Sequence, residues 1–96
     1  VADEFTLETF APVVGDVFEV DAGEAGALEL KLVEAIAAPD PNAPREPFIL
    51  TFKGPVEPVL AQQIVPLRHG SLGTLEIFVV PVGRNADGAV YEAVFA

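Results

Sequence analysis

The stretch LAQQIVPLRHGSLGTLEIFVVPVG, residues 60–83, decides how this chain is read. From Thr74 to Val82 only Thr74 and Glu76 are polar. Leu75, Ile77, Phe78, Val79, Val80 and Val82 supply the β-branched and aromatic character of a strand. Successive strand side chains point to opposite faces, so Leu75, Ile77 and Val79 share one face while Phe78 and Val80 take the other. Both faces demand cover. The strand is expected to be central, or to have one face waiting for another subunit. Pro81 has no amide donor and limits the ladder at that end.

Working outward, HGSLG (69–73) reads as the turn into this strand, and LAQQIVPL (60–67) as a preceding strand. Pro66 within it predicts incomplete pairing and a place at a sheet edge. Gly83 to Gly88 reads as a hairpin loop of six residues, after which VYEAVF (90–95) pairs antiparallel with the central strand. FILTF (48–52) alternates Phe48, Leu50 and Phe52 against Ile49 and Thr51, and Lys53-Gly54-Pro55 with Glu57-Pro58 breaks it. Residues 37–47 carry Pro39, Pro41, Pro44 and Pro47, so this segment is an exposed loop of polyproline character and a candidate contact loop.

Toward the N-terminus, ALELKLVEAI (27–36) alternates Leu28, Leu30 and Leu32 against Glu29 and Lys31 before the phase blurs. A strand is expected, with a helix as the alternative, because Leu, Glu, Lys and Ala are good helix formers. DVFEV (16–20) is a further strand, followed by a turn over DAGEAG. Thr6 as N-cap, Glu8 in the first turn, Phe10, Val13 and Val14 at helical spacing, and Gly15 as the stop predict one or two helical turns. An edge strand over Phe5–Phe10 is the alternative. The sum is a mainly β domain spanning 1–96: a small antiparallel barrel or sandwich of about six strands with a short N-terminal helix.

Composition sets the limits of function. The longest apolar run falls far short of the roughly 20 residues a membrane-spanning helix needs, so no membrane insertion is expected. No charged segment followed by an apolar one opens the chain, so the start at Val1 is expected to follow either removal of an initiator Met or a cleavage before it. Without cysteine the chain is indifferent to redox compartment, and a cytoplasmic and an exported or cell-surface location both fit. The net charge of −10 is concentrated in residues 1–34, where nine acids face one base. Such a field repels phosphate backbones and anionic lipid heads, so nucleic acid and membrane surfaces are poor partners at physiological salt and no nucleic-acid partner is expected.

Reactive groups are few. His69 and Ser71 are the only histidine and serine; two residues apart in a glycine-rich turn, they are expected to bond the local backbone rather than to catalyse. One histidine and no cysteine exclude the common zinc sites. Asp40-Pro41-Asn42 and the segment 85–88 carry oxygens suited to calcium but do not reproduce an EF-hand loop. No phosphate-cradling motif is present, and no cofactor or catalytic residue is assigned.

Phe10, Gly15 and Phe18, then Phe52, Gly54 and Pro55, then Gln62, His69, Leu72, Gly73, Phe78, Pro81, Gly83, Tyr91, Glu92 and Phe95 together form a pattern that resembles an uncharacterised bacterial family of β-rich proteins of about this length, a domain of unknown function. Where such proteins carry an aromatic before the turn, this chain has Ile64 and Val65. The resemblance implies no catalytic residues. It implies an assembly or accessory role, through a loose association with genes for phage-tail-collar-like surface proteins.

The expected function is a non-enzymatic structural or assembly module that acts through protein–protein contacts, by self-association or by binding a fibre-like surface protein. The alternative is a barrel that binds a small ligand. The candidate contact residues are Leu75, Ile77, Phe78 and Val80 for their apolar faces, Gln62 for its amide at a strand start, and Arg68 and Arg84 as cations. A contact pairing the acidic first third with Arg45, Lys53, Arg68 or Arg84 of a neighbour should weaken as salt screens it.

Overall fold

The computed structural model describes residues 5–21, 26–38, 40–42, 47–56 and 60–95. Residues 22–25 of the turn expected over DAGEAG, the break at Glu57-Pro58, Pro39 and residues 43–46 of the proline-rich loop, including Arg45, lie outside the described residues. Six strands, β1 (Val17–Asp21), β2 (Ala27–Ala37), β3 (Phe48–Gly54), β4 (Gln63–His69), β5 (Gly73–Asn85) and β6 (Gly88–Phe95), follow a short helix α1 (Leu7–Phe10) and a 3₁₀ turn at Ala11–Val13. The strands close into an antiparallel barrel in the order β1-β2-β3-β6-β5-β4. This is the barrel of the two architectures the sequence allowed.

One face of each strand fills the interior. Phe18, Val20, Leu30, Leu32, Leu50, Phe52, Leu67, Ile77, Val79 and Tyr91 are all essentially inaccessible to solvent. In a barrel this small, side chains rather than a lumen occupy the centre. Residues 27–36 form a strand and not a helix, and the phase that blurs after Leu32 has a physical cause. Leu32 faces Phe52, but Glu34 faces Thr51, so Val33 is an extra residue in β2. This bulge moves Ala35 to the inward side opposite Leu50 and turns Ile36 outward opposite Ile49.

The N-terminal segment is the expected short helix, not an edge strand. Thr9 Oγ1 accepts the Thr6 amide at 3.2 Å, and Gly15, at φ +99, donates its amide to Leu32 O at 2.7 Å. The helix plugs the end of the barrel where β3 begins and β6 finishes. There Phe10 packs against Phe5, Phe48 and Phe95, and the rings of Phe48 and Phe95 stack at 4.6 Å. Burying a side chain such as Phe10 contributes about 1.5–3 kcal/mol.

β3 runs through Lys53 to Gly54, past the expected break, Ala37 belongs to β2 and Pro47 is buried rather than part of an exposed loop. Three expectations for β4 to β6 also need correction. β4 starts at Gln63 rather than Leu60, because the Leu60 amide bonds the Tyr91 hydroxyl at 2.9 Å instead of joining a ladder. Nor is β4 an edge strand. It pairs along its whole length with β5, including Pro66 opposite Glu76, and closes the barrel against β1 through Glu19–Arg68 and Val20–Leu67. The β1 ladder stops one residue short of Pro66, which is where the missing amide donor would be felt. Finally, β5 runs to Asn85 and β6 starts at Gly88, so the expected six-residue loop is a two-residue turn over Ala86-Asp87, capped by the Asn85 side chain accepting the Asp87 amide at 2.8 Å.

Candidate functional site

Barrel closure decides which face of β5 is available. Ile77 points inward and is 1% exposed, while Leu75 is half-buried against the core. Neither offers a free surface. Phe78 is 49% exposed on the outer wall, and Val80 beside it is half-buried. Of the two readings of β5, central or with one face left for another subunit, the exposure of Phe78 fits the second among the described residues. Gln62 is exposed just before β4, and Arg84 is exposed near the β5–β6 turn opposite Ala89. Arg68 lies on the closing seam, 3.5 Å from Glu19, in an exposed pair of the kind that contributes little.

Phe78 belongs to a row. Directly opposite it on β4 stands Ile64, 64% exposed. On the other side the paired register of β5 and β6 ends at Val80–Glu92; continued by one further same-face step, it sets Val94, 62% exposed, beside Phe78. Val94 faces Ile49 on β3, and Ile49 faces Ile36 on β2, 43% exposed. Ile36, Ile49, Val94, Phe78 and Ile64 thus form an outward apolar belt across five neighbouring strands. At the usual strand spacing it is roughly 19 Å long. Scattered exposed apolar residues are ordinary on a protein surface, whereas these lie along one line.

The rows beside the belt carry carboxylates. Glu34 faces Thr51, Thr51 faces Glu92 and Glu92 faces Val80 on one side; Glu76 faces Pro66 on the other. Among the described residues, no Lys or Arg occupies the belt or either flanking row. Arg68 opposite Thr74 and Lys53 opposite Val90 are each one row further out.

The HGSLG turn is built otherwise. His69 Nδ1 accepts the amides of Ser71 at 3.0 Å and Leu72 at 3.2 Å, which leaves Nε2–H to donate to Asp16 Oδ2 at 2.8 Å. The ring also packs 4.8 Å from Phe18. Both nitrogens hold the turn and clasp β4 to the segment entering β1. Asp40 Oδ1 likewise accepts the Asn42 amide at 2.9 Å, and Asn85 Oδ1 the Asp87 amide at 2.8 Å, each within its own turn. No group of three or more metal-ligating side chains occurs among the described residues, and no helix among them is long and apolar enough to cross a membrane.

Residues 5–95 match the family model described as Domain of unknown function (DUF6916), and the chain belongs to that family. No curated protein matches it. No solved structure matches it either.

Proposed function

We propose that this chain, as a member of that family, is a non-enzymatic structural or assembly module that works by protein–protein contact through the outer wall of its barrel. The observation that carries this reading is the aligned belt Ile36–Ile49–Val94–Phe78–Ile64. Leaving it in water forgoes burial worth about 25 cal/mol per Å² of apolar surface, a gain that a partner would recover. The reactive groups support the same reading, since His69 is engaged through both ring nitrogens in the architecture of a turn. A fibre-like surface protein of the phage-tail-collar kind, suggested by the family resemblance, is one partner class consistent with it. The alternative of a ligand held inside the barrel draws less support, because Phe18, Phe52 and Tyr91 already fill that space.

The test is to fractionate native extracts of the producing cells by size and follow the chain immunologically. Wild type is expected to migrate in a complex larger than the free chain, and the variant Ile64→Ser/Phe78→Ser/Val94→Ser as the free chain. Migration of wild type as the free chain would overturn the contact reading. A complex that survives the triple substitution would place the contact away from the belt.

A further inference from the structure

The belt's surroundings discriminate between occupants. Glu34 and Glu92 border it on one side and Glu76 on the other, and no cation among the described residues stands in those rows. A second copy laid face to face would set these carboxylates against its own, in a chain whose net charge is already −10. A partner with lysines or arginines on both margins of an apolar stripe would instead meet a carboxylate on each side while its apolar residues cover Phe78, Ile64 and Val94. We infer that the belt docks a basic amphipathic segment of another protein, apolar along one line and cationic on both sides of it. This deepens the contact function proposed above and rests on it. A helix suits the dimensions: at 1.5 Å per residue, about 13 residues span a 19 Å belt, and one helical face presents apolar anchors at i, i+3, i+4 and i+7. The acidity of the chain then has two parts. Its bulk field attracts any cation, and the three border carboxylates position one kind.

The experiment uses a fluorescent leucine–lysine peptide of about 14 residues with helical spacing, long enough to span the belt. A scrambled peptide of the same composition, lacking an apolar face, and a leucine–glutamate peptide of the same pattern serve as controls. Binding is followed by anisotropy to three forms of the chain: wild type, Ile64→Ser/Phe78→Ser/Val94→Ser with every charge kept, and Glu34→Gln/Glu76→Gln/Glu92→Gln with every apolar group kept. All six substituted positions are on the outer wall, and unchanged melting curves verify the fold. The patterned lysine peptide is expected to bind wild type at least tenfold more tightly than either variant. It should also exceed the scrambled peptide by at least tenfold and weaken as salt rises. Equal binding to wild type and the serine variant would reduce the effect to bulk charge attraction and overturn the inference. So would self-association of wild type that the serine variant abolishes while the peptide fails to bind; that result makes a second copy the occupant and leaves the contact function standing. Belt-dependent binding of uncharged, zwitterionic lipid vesicles in place of the peptide would overturn it in favour of a lipid surface.

Discussion

The amide of Leu60 donates to the buried hydroxyl of Tyr91 at 2.9 Å, joining residues 31 positions apart. Tyr91 stands on the inner face of β6, and the bond ties the segment before β4 to the middle of the core. Replacing Tyr91 by Phe keeps the ring and strands a buried amide donor. The expected loss is about 1–3 kcal/mol. For a domain of this size each kcal/mol lowers the melting temperature by about 4–8 °C. A thermal melt of Tyr91→Phe that overlays wild type would show that Leu60 finds another acceptor.

Gly54 is required by contact rather than by backbone angle. A methyl group built there would sit 2.6 Å from Leu30 Cδ2 and 3.3 Å from Tyr91 Cε1. Gly54→Ala should therefore destabilise by about 1–3 kcal/mol through overpacking. Gly70, with nothing within 4 Å of the corresponding point, is the control, and Gly70→Ala should stay within about 0.5 kcal/mol of wild type. Urea denaturation of the pair separates crowding from a general dislike of alanine; equal midpoints would refute the crowding.

His69→Ala removes the acceptor for the Ser71 and Leu72 amides, the donor to Asp16 and the ring packed on Phe18. The expected cost is about 1–3 kcal/mol. Ser71→Ala should cost less than about 0.5 kcal/mol, because Ser71 is exposed and takes part through its backbone amide. Hydrogen exchange locates the effect: the amides that bond across the β1–β4 seam within the paired stretch Glu19–Val20 and Leu67–Arg68 should lose protection in His69→Ala before those of β3–β6. Uniform loss across the barrel would deny His69 its role as a clasp.

The difference between what the residues announced and what they left hidden is physical. Alternation within a strand is local, so Leu28, Leu30 and Leu32, or Phe48, Leu50 and Phe52, revealed their strands and their inward face. The blurred phase after Leu32 was legible as a disturbance, but its identity as a bulge at Val33 needed the partner strand. Leu60 looked like the start of a strand because it is apolar; nothing local marks its amide as claimed by Tyr91. Ile77 and Phe78 were equal candidates for contact because both faces of β5 are apolar, and only barrel closure decides that Ile77 is the buried one. The belt was illegible for the same reason. It joins residues 36, 49, 94, 78 and 64, whose alignment is a property of register between strands and not of any one stretch.

The belt substitutions should be nearly silent in the folded chain. Ile64, Phe78 and Val94 are half-exposed or more, so Ile64→Ser/Phe78→Ser/Val94→Ser is expected to shift stability far less than any one core truncation, for which Phe→Ala costs about 3–5 kcal/mol. Circular dichroism melts read this directly. A collapse of the fold would mean that the belt packs against the chain's own structure.

The most direct measurement places the photoreactive amino acid p-benzoylphenylalanine at position 78 and, as a control, at position 29 on the exposed side of β2. Irradiating intact producing cells is expected to give a discrete covalent adduct from position 78 and none from position 29. No adduct from position 78, or the same pattern from both positions, would contradict the belt as the contact surface.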